Sequence, residues 1–157
     1  MRKMVGKEIE EVEKELEEQY KYILPSVEYK KALKEGKLLG LKCEDCKQIT
    51  CPPMAVCQRC GSKNMKVVEL SGKGELMTFT VISVPPASFE GPYICCLVKT
   101  MEGPWIPGRL DYDIEKAQKE GLALVGRKVK FEKAMVLQPD EFNVSERVFP
   151  LFKFVEE

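Results

Sequence analysis

The sequence contains no histidine among its 157 residues. Without histidine, the chain cannot build a Ser-His-Asp triad, a Cys-His nucleophile pair or a histidine-ligated catalytic zinc from its own residues. The phosphate-binding patterns G-x-x-x-x-G-K-[ST] and G-x-G-x-x-G are also absent. We therefore expect a protein that is not an independent enzyme.

Long apolar runs are lacking as well. The longest, such as 79–86, have the length of a strand, whereas a membrane span needs about 20 apolar residues. The first residues lead into alternating charges rather than the apolar core of a signal peptide. Seven cysteines, an odd number, fit a reducing compartment better than a disulfide framework. We expect a cytoplasmic protein with no membrane partner.

An excess of charge of either sign is missing too. Lys plus Arg and Asp plus Glu both number 25, so the net charge is zero. A protein that binds nucleic acid by neutralising phosphates normally carries a basic surplus, so the balance argues against a general nucleic-acid binder. Only segment 37–66 is basic, with 6 positive and 2 negative groups.

Four cysteines provide the most specific pattern in the chain. Two C-x-x-C pairs, separated by ten residues, are formed by Cys43 with Cys46 and Cys57 with Cys60. This spacing is typical of two short loops that present four thiolates to one tetrahedral zinc ion. Iron in a rubredoxin-like site is the alternative, because four sulfurs suit both metals. Since four protein ligands leave no open position, we expect a structural metal.

The other three cysteines lie outside this pattern. Cys51 stands just before Pro52-Pro53, between the two pairs, and is expected to be a small buried apolar residue, with a reactive thiol as the alternative. Cys95 and Cys96 are adjacent in a predicted strand, so their side chains face opposite sides of the sheet. At least one of them should belong to the core.

The first 36 residues have helical periodicity. Apolar residues spaced by three or four predict an amphipathic helix over 5–24, ended by Pro25, and a second over 27–35, capped by Ser26 and ended by Gly36. The apolar stripe of the first helix is thin. This helix could cover its own domain or dock onto a partner, and the sequence leaves both open.

Beyond the helices the pattern is typical of strands. Strand 38–42 enters the first cysteine pair, and the Gly72 and Gly74 bend separates two later strands. Asp113 is expected to cap one short helix that Gly121 ends. Six further strands are predicted, over 65–70, 75–84, 93–100, 105–110, 127–137 and 148–155.

The fold class that follows is mainly β. We expect an N-terminal helical hairpin over 1–36, a rubredoxin-like zinc ribbon over 37–66 and a C-terminal OB-fold barrel over 67–157.

Several residues of the predicted barrel are candidates for contact with an anionic ligand. Lys99, Arg109, Arg127, Lys128 and Lys130 could bind phosphates, although solvated strand faces would explain them equally well. The single tryptophan, Trp105, is expected in the core, with the wall of a ligand groove as the alternative.

The order of these parts resembles a known family. A helical start, two C-x-x-C pairs around Pro-Pro, a G-x-G bend and a T-F-T strand together resemble the acyl-CoA-associated family in which a rubredoxin-like zinc ribbon is fused to an OB-fold. The chain departs from the family pattern at Lys47, where glycine is common, at Cys51, where an aromatic residue is common, and at Met54, where a basic residue is common. The matching residues are Gly36-Lys37-Leu38, Cys43, Cys46, Pro52-Pro53, Cys57, Cys60-Gly61, Gly72, Gly74, Thr78-Phe79-Thr80, Pro92-Tyr93, Gly108-Arg109 and Gly126.

The resemblance implies a function. It implies partnership with thiolase-like condensing enzymes, which in archaea include acetoacetyl-CoA thiolase and hydroxymethylglutaryl-CoA synthase of isoprenoid synthesis. The expected role is therefore a non-catalytic scaffold subunit that helps enclose CoA or its pantetheine arm, with acyl-CoA as ligand. The candidate CoA-binding residues are Lys99, Trp105, Arg109, Arg127 and Lys128.

Two other functions remain as alternatives. Zinc ribbons and OB-folds both bind nucleic acids in other proteins, so a nucleic-acid-binding module is the main one. An acyl-CoA thioesterase or transferase that uses Cys95 or Cys96 would need a base that the absent histidine does not supply.

Overall fold

The computed structural model describes residues 22–155. Most of the predicted first helix lies outside this range, and its last three residues, 22–24, are not helical. The second helix is present as α1, Ser26–Lys34. It begins one residue earlier than expected: Pro25 occupies the N-cap position, and Ser26 makes no side-chain capping bond. The prediction of Ser26 as the cap is therefore wrong, because Pro25 already has the extended geometry that a cap requires.

A small sheet follows α1 and carries the two cysteine pairs. It consists of β1 (Leu38–Cys43), β2 (Ile49–Thr50) and β3 (Met65–Leu70), in the order β2-β1-β3. Both pairings are antiparallel, and β1 runs against β3 along its whole length, from Leu38 opposite Leu70 to Cys43 opposite Met65. The two-residue β2 was not predicted, because so short a strand leaves no alternating pattern.

Five strands close into a barrel after this sheet. Their order around the barrel is β4-β5-β6-β8-β7, and all pairings are antiparallel except β6 with β8. The predicted OB-type barrel is confirmed, and the short pairings of β4 with β7 and of β6 with β8 close it. The strands are β4 (Lys73–Ile82), β5 (Tyr93–Thr100), β6 (Trp105–Asp111), β7 (Lys128–Leu137) and β8 (Arg147–Phe154).

One short helix covers an end of the barrel. Helix α2, Ile114–Glu120, is capped by Asp113, whose carboxylate accepts a bond of 2.8 Å from the backbone N–H of Lys116. The predicted cap and Gly121 stop are both confirmed, since Gly121 has a φ of 52°. A 3-10 turn, Gly121–Leu124, then leads into β7.

The glycine bend brings two barrel strands unusually close. A Cβ on Gly74 would lie 2.4 Å from the carbonyl oxygen of Lys99, so β4 can pair with β5 at this point only without a side chain. Gly72, with a φ of 73°, makes the turn between β3 and β4. These two glycines fix where the small sheet ends and the barrel begins.

Helix α1 holds the small sheet against the barrel. It packs against β1, β7 and β8, and its buried face consists of Tyr29, Ala32 and Leu33. Leu33 is fully buried. Within residues 22–155, no helix is long and apolar enough to cross a membrane.

We predict that Leu33→Ala lowers the free energy of unfolding by about 2–5 kcal/mol, because the substitution removes buried methyl groups at the junction of the sheet and the barrel. Val27→Ala is the matched control, since Val27 lies in the same helix but is 74% exposed. Urea unfolding of the two variants measures the difference. Equal effects of the two substitutions would show that α1 does not hold the sheet and the barrel together.

Candidate metal centre and ligand surfaces

The structure brings the four cysteines of the C-x-x-C pairs together. Cys43 ends β1, and the three others lie in loops at the same end of the small sheet. All four Sγ atoms lie within 4.8 Å of one another. Cys43 and Cys57 are buried, Cys46 is half-buried and Cys60 is exposed, so the cluster sits at the surface with its inner side sealed.

The spacing of the sulfurs fits a tetrahedral metal. Sγ of Cys43 lies 3.6 Å from Sγ of Cys60, and Sγ of Cys46 lies 3.5 Å from Sγ of Cys57. Zinc–sulfur bonds of about 2.3 Å arranged tetrahedrally place the sulfurs about 3.8 Å apart. A zinc ion held by these four residues would have no open position, so it would stabilise the fold and not activate a water or substrate.

Backbone N–H groups in both loops stabilise thiolates. The N–H groups of Cys46 and Asp45 lower the pKa of Cys43, against an opposing effect of burial. In the second loop, the N–H groups of Cys60 and Arg59 lower the pKa of Cys57 to about 6. The N–H of Ser62 acts in the same way on Cys60, but the neighbouring sulfurs and burial outweigh it and raise that pKa to about 12. Because the other sulfurs lie so close, the thiol of Cys60 keeps its proton, and a bound metal ion would displace that proton.

The two loops have the same backbone geometry. The N–H of Lys47 donates to the carbonyl of Cys43 at 3.0 Å, and the N–H of Gly61 donates to the carbonyl of Cys57 at 2.9 Å. Lys47 has a φ of 63°, close to the 73° of Gly61. Lys47 thus occupies the position where the resembling family commonly has glycine, in a conformation that glycine adopts more easily. The loop tolerates the departure.

The remaining cysteines lie outside the cluster. Cys51 is 3% exposed and its Sγ lies 3.9 Å from the hydroxyl of Tyr29 on α1. Burial raises the pKa of Cys51 to about 11, so the interpretation of Cys51 as a buried apolar residue is confirmed. Cys96 faces the barrel interior and Cys95 is half-buried on the outer face, which confirms that one of this pair belongs to the core.

The five candidate ligand residues do not form one site. Lys99 and Lys128 line one cleft on the outer face of the barrel. Arg109 lines a second cleft, and Arg127 lies over the ring of Phe154 near the end of α2, paired with Glu120 at 3.8 Å.

Trp105 is not in the core. Its side chain is 48% exposed on the outer face of β6, directly opposite Lys99 on β5. The prediction of a core tryptophan is wrong, because the parity of β6 buries Ile106 and turns Trp105 outward.

The first of these clefts, which we call the lysine cleft, is basic. Its volume is 610 Å³, and its lining includes four lysines but one carboxylate, Glu75. Glu75 accepts a hydrogen bond from Lys128 at 2.6 Å, which lowers the pKa of the carboxyl group. The lining residues are Lys73, Gly74, Glu75, Lys99, Thr100, Met101, Lys128, Val129, Lys130 and Val155.

Like charges face one another in the lysine cleft. Lys73 on β4 is directly opposite Lys130 on β7 in the register. Opposed like charges destabilise a sheet unless an anion lies between them. Sequence reasoning missed Lys73 and the exposed Met101 as cleft residues, because only the closure of β4 onto β7 brings them beside Lys130.

Comparisons with known proteins agree with this architecture. A family model described as the rubredoxin-like zinc ribbon domain of ChsH2 matches residues 30–66, and one described as the C-terminal OB-fold domain of ChsH2 matches residues 67–132. A DUF35 domain-containing scaffold protein of Pyrococcus furiosus is 37% identical over 99 residues, which are 60% of this chain and 71% of that protein.

The chain belongs to the DUF35 family.

Two further similarities are to proteins that are named as enzymes or as parts of enzymes. The solved structure of an Ltp2–ChsH2(DUF35) aldolase contains a chain similar to this one, with 27% identity and a TM-score of 0.58 over 80% of this chain and 91% of that one. A probable enoyl-CoA hydratase alpha subunit of Thermomonospora curvata is 37% identical over 73 residues, 46% of this chain and 23% of that protein. The DUF35 chain is thus similar to parts of two differently named enzymes.

We predict that Cys57→Ser removes most of the bound metal from this DUF35 protein, because a three-sulfur site binds zinc more weakly and metal binding is coupled to folding. Metal analysis by mass spectrometry should find one zinc or iron per wild-type chain and much less in the variant. Cys51→Ala is the control and should keep the metal. Folded wild-type protein without any bound metal would contradict the prediction.

Proposed function

We propose that this protein is a non-catalytic accessory subunit that holds a thiolase-like condensing enzyme and helps enclose CoA or its pantetheine arm. The observation that carries the proposal is the similarity to the DUF35 chain of the Ltp2–ChsH2 aldolase. The scaffold protein of Pyrococcus furiosus and the enoyl-CoA hydratase subunit support the same role, since the first is named a scaffold and the second is named for a CoA substrate.

The chemistry of the chain supports a non-catalytic role. The sequence has no histidine to serve as a general base near neutral pH. Four cysteine ligands would leave zinc without the open position that a catalytic metal needs. Burial raises the pKa of Cys96 to about 12, so this thiol stays protonated and is a poor nucleophile.

We place the CoA phosphates in the lysine cleft. Four lysines and one glutamate leave a positive surplus, which suits the diphosphate and the 3′-phosphate of CoA. An anion between Lys73 and Lys130 would relieve the repulsion of this opposed pair. The exposed face of Trp105, next to Lys99, offers a surface for the adenine ring. Arg109 and Arg127 lie elsewhere and are not needed for these contacts.

The rest of the chain fits the proposal as a means of docking. Segment 1–36 would contact the partner enzyme, the zinc ribbon 37–66 would join it to the barrel, and the barrel 67–157 would cover CoA. The partner in this proposal is a thiolase-like condensing enzyme of isoprenoid synthesis, such as hydroxymethylglutaryl-CoA synthase. The compartment is the cytoplasm, where the thiols stay reduced.

We predict that the tagged protein, isolated from its native host, carries a thiolase-fold enzyme, and that the complex binds CoA through the lysine cleft. The double variant Lys99→Gln/Lys130→Gln should weaken CoA binding by roughly fivefold to tenfold, because each exposed ion contact contributes at most about 1 kcal/mol. Mass spectrometry identifies the partner, and calorimetry of the recovered complex measures the affinity.

Lys116→Gln is the control for this experiment, since Lys116 is exposed on α2 and outside the cleft. Its complex should bind CoA like the wild type. Recovery without any thiolase-fold protein would contradict the scaffold role, and equal CoA affinity of all three complexes would contradict the placement. Recovery with nucleic acid, through contacts that weaken steeply with salt, would favour the nucleic-acid-binding alternative.

A further inference from the structure

The second cleft, which we call the Arg109 groove, lies on another part of the barrel surface. Its volume is 530 Å³. The register aligns Arg109 on β6 with Leu151 on β8 and Leu151 with Lys133 on β7, so the groove crosses three neighbouring strands. Tyr93 and Met135 also line it. The lining residues of this groove and of the lysine cleft do not overlap, so the two are separate.

Arg109 is a buried cation inside a cluster of aromatic rings. Only 7% of its surface is exposed. Its guanidinium carbon lies 3.3 Å from the ring centroid of Tyr93, 5.1 Å from that of Phe149 and 5.5 Å from that of Phe89. These ring faces stabilise the charge in part, but they leave the N–H groups at the edge of the guanidinium without acceptors.

In the described part of the chain, no protein group accepts from those N–H groups. Within residues 22–155, no carboxylate lies within ion-pair distance of Arg109 and no oxygen within hydrogen-bond distance. Its nitrogens are also not among the unpaired polar atoms of this range that are sealed from solvent. The N–H groups therefore reach solvent through the groove. Burial lowers the pKa of Arg109, which is the expected consequence of a charge with little solvation.

Two other arginines show that this arrangement differs from ordinary stacking. Arg127 lies 4.1 Å from the ring of Phe154 and pairs with Glu120. Arg147 lies 4.6 Å from the ring of Phe89 and pairs with Asp140 at 2.6 Å. Both are less buried than Arg109, yet both have a carboxylate partner. A buried cation without one costs more free energy than an exposed cation, so of these three arginines Arg109 most needs an external anion.

We propose that the Arg109 groove binds a carboxylate carried on an apolar body. A guanidinium fork matches the two oxygens of a carboxylate, and the stacked rings hold that fork in one orientation. Met135 and Leu151 provide apolar surface for the rest of the ligand. Two positively charged residues, Arg109 and Lys133, and one negatively charged residue, Asp111, line the groove. The net charge of +1 suits a monoanion.

A carboxylate on an apolar body could come from two sources, a free organic acid or the acidic side chain of another protein. The first probe is 3-phenylpropionate, with the neutral 3-phenylpropionamide as its matched control. The second probe is the blocked peptide Ac-Phe-Glu-Phe-NH₂. Both are titrated into the full-length, metal-bound protein while the Nε–H signal of Arg109 is followed by NMR.

We expect saturable shifts of the Arg109 signal with at least one carboxylate and none with the amide, and the tighter probe identifies the source. In calorimetry with that probe, Arg109→Lys should raise the dissociation constant by roughly tenfold, because an ammonium cannot make the paired bonds. Lys133→Gln, at the exposed rim, should raise it by roughly threefold. Arg127→Gln is the stacked-arginine control and should bind like the wild type.

The absence of saturable binding by both carboxylates would overturn the proposal, as would equal binding of the amide. An Arg127→Gln effect as large as that of Arg109→Lys would also overturn it. If Arg109→Lys does not fold, Lys133→Gln and the wild-type titrations still decide the question. The result is independent of CoA binding, which is measured in the lysine cleft.

Discussion

The convergence of four sulfurs is the constraint on which the small sheet depends. Three strands with few buried side chains would be marginal alone, as small β-sheets usually are. The two C-x-x-C loops add a metal site to the apolar contacts of this sheet. Their Sγ–Sγ distances of 3.5 and 3.6 Å match a tetrahedral metal. The other side of the sheet is covered by Leu33 and Tyr29 of α1. A metal bound by the four sulfurs would support the loops of this sheet, and the helix supports β1.

The barrel has its own basis for stability and presents the surfaces that matter for function. Its interior is filled by side chains from all five strands, such as Leu76, Val98, Ile106, Val129 and Phe152. The absence of a side chain at Gly74 lets β4 approach β5 closely, and the pairing of β4 with β7 places Lys73 opposite Lys130. The packing of the core sets the register of the barrel strands. That register determines which charged side chains are neighbours on the outer face of the barrel.

The two outer surfaces differ in their chemistry. The lysine cleft has several exposed cations and suits a ligand with several negative charges. The Arg109 groove has one buried cation held by aromatic rings and suits a single, oriented carboxylate. If both proposals hold, the metal-supported sheet serves to position the barrel, and the barrel surface carries the binding.

Much of the fold could be predicted from the sequence because its signals are local. Cysteine spacing predicted the sulfur cluster, and alternating residues predicted the long strands to within about two residues. Such local signals do not predict which strands pair with one another. The pairing of β4 with β7 places Lys73 beside Lys130, and the aromatic rings around Arg109 come from two distant segments, Phe89 and Tyr93 from one and Phe149 from the other. For the same reason, five candidate ligand residues that look equivalent in the sequence lie on different surfaces.

Hydrogen–deuterium exchange with and without the metal tests the central claim, that the four cysteines hold the small sheet while the barrel stands on its own core. After removal of the metal by a chelator, amide protection should fall in β1, β2 and β3 and in the cysteine loops, and should remain in the interior of β4–β8. Equal loss of protection in the barrel would contradict the account, as would unchanged protection throughout the small sheet.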